Sequence, residues 1–400
     1  MVYEYKDQPL KGLFYTYQIL TTAFVRLPFI SLWYIPRSLR PKPSWSWQQS
    51  FGVNLFRHLA YVSFTAGRIR LVPDWRAIVP AEGVHGIWIE GVPELVTGEL
   101  QTWAEVSQVE PSRIPGYWYS KQGADIPANE TPVPGEKVFY WFHGGGYVQL
   151  SAHPKNFNSN VVTSLLELSK TVQRAFALEY RLASTAPFPD QNPFPAALLD
   201  ALAGYNHLVN VVGFDPSDII ILGDSAGGNL ALALTRYLIE NKDSPVKLPA
   251  PPHSMILLSP WVDLSPSHNH LGSSTLHNNV DYLRRQDSGA SLYSIEAFVR
   301  PYGLGAALMN RYISPASLHP SCCAHFVGFP RTFIAVGTEE RFLDPVRTLK
   351  KKMTADMGEG KGEGQVTYYE ALDAVHDYLT LKWHDSGREG TLKALADWLP

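Results

Sequence analysis

The sequence predicts an α/β fold in which a mostly parallel central sheet carries helices on both faces. From about residue 136 onward, apolar runs typical of buried strands alternate with segments of helical periodicity. This is the pattern of parallel strands joined by crossover helices. A glycine-rich turn at 223–228 also lies directly between a strand-like and a helix-like run. The 400 residues suffice for one large domain of this class with insertions.

Strand-like and helix-like segments follow one another along this part of the chain. Strands are expected at 138–142, 172–178, 219–222, 255–258, 332–336 and 366–370. Helices are expected at 156–169, 193–212, 226–240, 345–357 and 391–399. The stretch 263–320 has no strong periodicity. It therefore predicts loops and short helices above the sheet.

The composition excludes several functional classes. A net charge of −3 gives no electrostatic reason to expect a nucleic-acid partner. Cys322 and Cys323 are the only cysteines, and because they are adjacent they indicate neither a disulfide framework nor a metal or redox site. We expect no metal and no organic cofactor. Charged residues make up 18% of the chain and aromatic residues 12%, which favours an apolar substrate or a membrane surface.

The N-terminal segment is unusual because it is apolar but interrupted by charge. Arg26 separates the uncharged stretch 12–25 from the apolar and aromatic stretch 27–36. A bilayer span needs about 20 apolar residues, and an arginine near its middle costs roughly 2.5–3.5 kcal/mol. Glu4 and Asp7 do not fit the basic start of a signal peptide.

We therefore interpret residues 10–36 first as an amphipathic helix that covers an active site or contacts a membrane surface. A membrane anchor and a packed core helix are the alternatives. Either membrane interpretation predicts a cytoplasmic protein or one associated with the endoplasmic-reticulum membrane, rather than a secreted one. The sequence does not predict the oligomeric state.

The glycine-rich turn Gly223-Asp224-Ser225-Ala226-Gly227-Gly228 predicts a nucleophilic serine. Glycines at so sharp a strand-to-helix turn remove the Cβ atoms that would clash, and the turn exposes the serine hydroxyl above the sheet. The following helix directs its first N–H groups toward the same point, which suits a developing oxyanion. We therefore assign Ser225 as the candidate nucleophile.

A second glycine motif, His143-Gly144-Gly145-Gly146-Tyr147, also follows a predicted strand. Three glycines let the backbone approach a bound ester and direct N–H groups at its carbonyl oxygen. Together with the serine turn, this motif predicts the oxyanion loop of lipases and esterases.

A nucleophilic serine needs a base and an orienting carboxylate, which in this fold follow it in the order Ser, acid, His. His376 comes shortly after the last predicted strand, and Asp344 comes shortly after the strand at 332–336. Both positions lie at carboxyl ends of parallel strands, where ligands bind in open α/β sheets. We assign His376 as the base and Asp344 as the acid, with Glu339 and Glu340 as competitors in the same loop.

Seven motifs together resemble the hormone-sensitive-lipase-like α/β-hydrolases, a group that includes arylacetamide and steryl-acetate deacetylases. They occur in the family's order between about residues 136 and 380: His143-Gly144-Gly145-Gly146, Tyr180-Arg181-Leu182-Ala183, Phe194-Pro195-Ala196-Ala197, the serine turn, Ser259-Pro260-Trp261-Val262-Asp263-Leu264-Ser265, Leu343-Asp344-Pro345 and Val375-His376-Asp377. The resemblance implies the α/β-hydrolase fold.

The resemblance also implies roles for individual residues. It implies a triad of Ser225, Asp344 and His376. It further implies that Gly145, Gly146 and Ala226 supply the oxyanion N–H groups, while His143 and Gly144 order the loop.

For the chain as a whole, the resemblance implies a helical N-terminal cap or membrane-associated segment over residues 1–75. The catalytic domain would span 76–400, with 263–320 contributing to the cap. We expect a serine carboxylic ester hydrolase that acts on a small apolar ester and releases short acyl groups, acetyl in particular, from a bulky apolar alcohol. An acyltransferase using the same triad and a membrane-bound lipase acting on longer acyl chains are the alternatives.

Overall fold

An eight-stranded sheet forms the centre of the computed structural model, which describes residues 2–67, 74–124, 126–383 and 385–399. The strands are β1 (His85–Ile89), β2 (Ile114–Ser120), β3 (Lys137–Phe142), β4 (Val172–Leu178), β5 (Ile219–Asp224), β6 (Ser254–Leu258), β7 (Arg331–Gly337) and β8 (Val366–Ala371). Their spatial order is β1-β2-β4-β3-β5-β6-β7-β8. β2 runs antiparallel to β1 and β4, whereas β4, β3, β5, β6, β7 and β8 are parallel neighbours. The predicted mostly parallel sheet is therefore confirmed.

Twelve α-helices occur among the described residues. They are α1 (Leu10–Thr21), α2 (Leu27–Trp33), α3 (Trp47–Ala66), α4 (Gly98–Ser107), α5 (Asn160–Leu168), α6 (Ala196–Asn206), α7 (Ala226–Glu240), α8 (Ser274–His277), α9 (Gly289–Val299), α10 (Leu304–Met309), α11 (Leu343–Met357) and α12 (Asp385–Trp398). A π-helical turn, Thr22–Arg26, joins α1 to α2, and another, His207–Val212, extends α6.

Helices cover both faces of the sheet, as predicted. In β3, Val138, Tyr140 and Phe142 pack in the cluster that includes α4, α6, α7 and α11. Phe139 and Trp141 point to the other face, where α5 and α12 pack. Successive strand residues alternate between faces. Because both faces are covered, the strand is apolar at nearly every position.

The strands and helices differ from the sequence prediction mainly at the ends and in the N-terminal third. All six predicted strands are present, and α7 begins and ends as predicted. The helix expected from residue 193 begins at Ala196, and the one expected from residue 391 begins at Asp385. The sequence did not predict β1, β2, α3 or α4. The stretch 263–320 contains α8, α9, α10, a short 3-10 helix at Pro266–His268 and loops, in agreement with the prediction.

The N-terminal helices are attached to the loop that follows β8. α3 begins after Ser46, whose side chain accepts a hydrogen bond from Gln49 N at 3.0 Å. Just before it, the buried Trp45 donates its indole N–H to Asp373 O at 3.0 Å, and Gln49 Nε2 donates to the same oxygen at 2.8 Å. Within the described residues, no helix is both long and apolar enough to cross a membrane.

Candidate active site

Ser225 lies on the tight turn between β5 and α7. Its backbone has φ 53° and ψ −116°, a conformation that a non-glycine residue rarely adopts. The turn is held in place because Ser225 N donates to Leu258 O at 2.9 Å, and Trp261 N donates to Ser225 O at 2.9 Å. An added Cβ on Gly227 would come within 2.0 Å of Phe142 O. The glycine is therefore required for α7 to start this close to β3.

His376 meets Ser225 as the sequence predicted. The imidazole Nε2 lies 2.9 Å from Ser225 Oγ, although the two residues are 151 positions apart. His376 follows β8 and is 2% exposed. The edge of its ring packs against Phe342, with centroids 4.9 Å apart and planes at 79°. The base is therefore oriented by its aromatic neighbour as well as by hydrogen bonds.

The carboxylate that contacts His376 Nδ1 is Glu340, and the assignment of Asp344 is corrected. Glu340 Oε2 lies 3.1 Å from His376 Nδ1. Asp344 lies four residues further on, in the first turn of α11, where it accepts a hydrogen bond from Ser274 N at 2.7 Å. β7 ends at Gly337, so Glu340, three residues later, still lies in the loop beside the imidazole. Asp344 is carried away from the imidazole by the start of α11.

Glu340 is held by two further donors. Ser259 Oγ donates to Glu340 Oε1 at 2.6 Å, and Gly337 N donates to the same oxygen at 2.5 Å. Burial raises the pKa of Glu340, while the hydrogen bond from His376 opposes that rise. Its competitor Glu339 instead forms an ion pair with Lys42. The two adjacent glutamates thus have different surroundings.

Asp377 brings a second carboxylate to the same imidazole. Its Oδ2 lies 3.2 Å from His376 Nε2, and its Oδ1 is buried without a hydrogen-bond partner among the described residues. Burial lowers the pKa of His376, but the adjacent carboxylates of Asp377 and Glu340 outweigh it and hold the pKa well above its ordinary value. Both contacts favour the imidazolium form. The family that the sequence resembles commonly has a small residue after this histidine, so the resemblance did not predict the contact.

Asp281 is a further buried carboxylate that sequence reasoning missed. Its two oxygens accept hydrogen bonds from His376 N at 3.3 Å and from Arg341 N at 2.9 Å. Burial raises the pKa of Asp281, and the charge of His376 opposes the rise. Asp281 lies in the segment without periodicity, and no motif identifies it. It joins that segment to the loops that carry His376 and Glu340.

The glycine loop is fixed to the serine turn through Asp224. Gly144 N donates to Asp224 Oδ2 at 2.8 Å, and Trp141 Nε1 donates to Asp224 Oδ1 at 2.8 Å. Burial, together with the nearby charge of Asp377, raises the pKa of Asp224 to about 8. His143 Nδ1 lies 2.7 Å from Gly144 O, and its ring stacks on Tyr180 at 4.3 Å.

Gly145 and Gly146 occupy left-handed conformations with φ +109° and +61°. A Cβ on Gly145 would come within 2.1 Å of Gln149 O. Both glycines line the cavity that contains Ser225 and His376. Ala226 is the first residue of α7, and the first N–H groups of a helix have no acceptor within it. The three residues predicted to bind an oxyanion are therefore grouped around the serine.

A large cavity of about 850 Å³ leads to Ser225 and His376. Its walls come from three parts of the chain: α3, with Phe56 and Leu59, the segment 282–296, and the residues around the serine turn. Most of the lining is apolar. The described residues contain no cluster of three or more histidine, cysteine or acidic side chains able to hold a metal ion.

A family of known proteins matches most of this chain. The model of the family described as having the alpha/beta hydrolase fold matches residues 139–380. An esterase from Acinetobacter venetianus is 28% identical over 246 residues, which cover 61% of this chain and 68% of that protein. Arylacetamide deacetylase from Bos taurus is 36% identical over 128 residues, which cover 31% of this chain and 30% of that protein.

Solved structures share the fold. A hormone-sensitive lipase from a metagenome library superposes with a TM-score of 0.55 at 24% identity, covering 93% of this chain and 96% of that one.

Proposed function

Because the chain belongs to the α/β-hydrolase family and is a carboxylic ester hydrolase, we propose that it acts through a triad of Ser225, His376 and Glu340. The observation that carries the proposal is the hydrogen-bonded series from Ser225 Oγ through the imidazole to Glu340, with distances of 2.9 and 3.1 Å. Glu340 replaces the Asp344 of the sequence prediction, and an aspartate or glutamate can hold the base in this fold.

In the proposed first step, Ser225 Oγ attacks the ester carbonyl while His376 Nε2 accepts its proton. The charge on the carbonyl oxygen of the tetrahedral intermediate is stabilised by the N–H groups of Gly145, Gly146 and Ala226. Glu340 stabilises the imidazolium. His376 then returns the proton to the leaving alcohol, and an acyl-enzyme remains on Ser225.

In the second step, water attacks the acyl-enzyme carbonyl while His376 Nε2 accepts its proton. The bond from the acyl carbon to Ser225 Oγ then breaks, His376 returns the proton to Oγ, and the acid is released. The Asp224 hydrogen bonds maintain the distance between the glycine loop and Ser225 throughout both steps. Prepositioned donors of this kind need no reorganisation as charge develops. The loop and serine turn therefore act as one rigid unit.

Covalent labelling tests the nucleophile. We expect a fluorophosphonate probe to label the wild-type protein and to leave Ser225→Ala unlabelled, because the hydroxyl is the only group the triad activates. Circular dichroism of the variant controls for folding. Labelling that persists in a folded Ser225→Ala protein would overturn the assignment.

We further propose that the substrate is a short acyl ester, an acetyl ester in particular, of a bulky apolar alcohol. The mostly apolar cavity of about 850 Å³ suits a large apolar group, and the similarity to a deacetylase supports the acyl group. The cap formed by residues 1–75 and part of 263–320 is proposed to select this alcohol, since α3 and α9 line the cavity.

A series of p-nitrophenyl esters from about two to twelve carbons tests the acyl preference. We expect kcat/KM to be highest for acetyl or butyryl and to decline with length. A maximum at the longest chains would instead favour a lipase. Product analysis with added alcohols distinguishes hydrolysis from acyl transfer, because a transferase would form new esters.

A further inference from the structure

The outward side of the N-terminal helices is rich in exposed apolar side chains. Between residues 10 and 39, twelve large apolar side chains are exposed. They are Leu10, Leu13, Tyr17, Ile19, Leu20, Phe24, Val25, Phe29, Leu32, Trp33, Ile35 and Leu39. Phe24 is the extreme case at 75% exposure. We call these twelve residues the N-terminal face. Scattered exposed apolar residues are normal in proteins, but twelve of them within residues 10–39 mark an interaction site.

Hydrogen bonds attach α2 and the residue after it to α3. Trp47 Nε1 donates to Ser31 O at 2.9 Å, and Asn54 Nδ2 donates to Tyr34 OH at 3.1 Å. The inner side of α2 is buried through Ile30. The helices therefore use one side to pack on the protein and leave the apolar side outward.

The segment that carries the N-terminal face, residues 8–67, holds charges of one sign only, while Lys42 within it is paired with Glu339 and Asp373 and the exposed Asp7 precedes it. Residues 8–67 contain six lysine and arginine residues and no aspartate or glutamate, in a chain whose net charge is −3. Arg26 and Arg37 are exposed. Arg40 donates to the backbone carbonyls of Tyr34, Ile35 and Trp45 rather than to a carboxylate, so its charge is not neutralised there.

This charge pattern favours an anionic lipid surface over a second copy of the chain. A symmetric dimer places the same patch on both subunits, so a dimer through this face would bring basic residues against basic residues with no acidic partner among residues 8–67. Anionic headgroups attract basic residues near a bilayer, and an amphipathic helix inserts its apolar side at the headgroup boundary.

The N-terminal face also lies near the mouth of the active-site cavity. Leu59 and Tyr61 of α3 line the cavity and are 50% and 40% exposed, so they stand at its entrance. Thr22 Oγ1 lies 3.0 Å from His58 Nε2. The π-helical turn with Phe24 and Val25 is therefore beside the part of α3 that carries Leu59.

We propose that the N-terminal face lies on an anionic membrane surface, with the active-site cavity opening beside it, so that the enzyme takes its apolar ester from the lipid phase. The route of the substrate rests on the proposed function, but membrane binding does not require hydrolysis. The two parts can therefore fail separately.

Vesicle flotation tests the binding with the full-length protein. The vesicles consist of phosphatidylcholine alone or of phosphatidylcholine with about 30% phosphatidylserine. Each basic residue near an anionic surface increases the affinity about fivefold. We expect the wild type to float with the anionic vesicles and to be released as salt is raised. The double variant Leu20→Asp/Phe24→Asp should lose at least about tenfold in partitioning.

A matched control places the same substitutions elsewhere. Leu271 and Val327 are 91% and 70% exposed and lie outside residues 10–39, so Leu271→Asp/Val327→Asp should float like the wild type. Neither Leu20 nor Phe24 lines the active-site cavity. The Leu20→Asp/Phe24→Asp variant should therefore hydrolyse soluble p-nitrophenyl acetate at the wild-type rate, and this rate reports correct folding. If the first double variant fails to fold, Arg26→Glu/Arg37→Glu takes its place and should also weaken binding to anionic vesicles.

Three outcomes would overturn the proposal. The first is that the wild type floats with neither kind of vesicle. The second is that a folded Leu20→Asp/Phe24→Asp variant, the face variant, floats as well as the wild type. The third is that light scattering shows a wild-type dimer that the face variant converts to a monomer. In a further experiment, an apolar acetyl ester is dissolved in the vesicles. The face variant should hydrolyse it more slowly than the wild type and the Leu271→Asp/Val327→Asp control do. Vesicle binding without any hydrolysis would refute the proposed function and leave the membrane surface supported.

Discussion

Two carboxylates approach the imidazole of His376 at its two different nitrogens. Glu340 contacts Nδ1, as the orienting acid of a triad does, whereas Asp377 lies 3.2 Å from Nε2, the same atom that contacts Ser225. The first contact favours the tautomer with its free lone pair toward the serine. The second competes with the serine whenever the imidazole is protonated. We therefore propose that Glu340 supports catalysis and that Asp377 sets its pH dependence.

Separate substitutions of Glu340 and Asp344 distinguish the two assignments of the triad acid. Glu340→Gln keeps the shape but removes the charge beside His376, and we expect kcat to fall by about 10³–10⁴-fold. Asp344→Asn serves as the matched control and should change kcat by less than about threefold, because Asp344 contacts Ser274 in α8 and Arg347 in α11. Hydrolysis of p-nitrophenyl acetate measures both. The opposite ranking would restore Asp344 as the acid.

Removal of the second carboxylate should move the pH profile. Because Asp377 helps to hold the pKa of His376 above its ordinary value, the imidazole loses its proton only at higher pH, and kcat/KM rises there. In Asp377→Asn that pKa falls, so the rising limb of the kcat/KM profile should move to lower pH. A profile unchanged from the wild type would show that Asp377 does not act on His376.

Among the elements, the loop from His143 to Tyr147 depends most on backbone conformation. Gly145 adopts φ +109° and has no room for a side chain, since a Cβ would come within 2.1 Å of Gln149 O. Gly145→Ala should therefore move the loop and lower kcat/KM by at least about 10²-fold, measured with p-nitrophenyl acetate.

Gly213 provides the matched control for that substitution. It has a similar φ of +96°, and no described atom lies within 4 Å of the place that a Cβ would occupy. Gly213→Ala should destabilise the fold by about 1–2 kcal/mol through its backbone conformation and leave the kinetics unchanged. Equal losses of activity in both variants would mean that strain, rather than loop position, explains the effect.

At the scale of the whole molecule, a buried ion pair joins the central sheet to a helix that covers it. Arg181 follows β4, and its guanidinium lies 2.8 Å from Asp200 in α6, with both side chains buried. Asp200 also accepts a hydrogen bond from Arg181 N at 2.8 Å. The pair fixes the end of β4 near the active site. It explains structurally the Tyr180-Arg181-Leu182-Ala183 motif of the sequence.

Loss of one partner from this pair should be costly. Asp200→Ala leaves a buried guanidinium unpaired, and we expect the free energy of unfolding to fall by about 3–5 kcal/mol, measured by urea denaturation. The exposed pair Arg285–Asp287 is the control, and Asp287→Ala should change stability by about 1 kcal/mol or less. Similar changes in the two variants would contradict a structural role for the buried pair.

Periodicity and turn chemistry allowed most of the catalytic half of the fold to be predicted. The parallel strands are covered on both faces, so they are apolar runs that stand out in the sequence. β1 and β2 did not stand out, because β1 is only five residues long and β2 contains a proline and a glycine. α3 was missed because polar residues such as Gln49, Ser50 and His58 occur on its buried side. These residues are stabilised by tertiary contacts that no local pattern reveals.

The order of residues along the chain was enough to predict the α/β-hydrolase fold, the position of Ser225 on its turn, the glycine loop and His376. Each of these depends on local conformation or on the order of strands along the chain. Which carboxylate contacts the imidazole became known only from the folded structure. Glu339, Glu340 and Asp344 follow the same strand, and the path of the chain from Gly337 into α11 selects Glu340. The contacts of Asp281 and Asp377 likewise depend on the folded structure. Asp281 joins segments that are distant in the chain. The contact of Asp377 depends on the direction its side chain takes once its neighbours are packed.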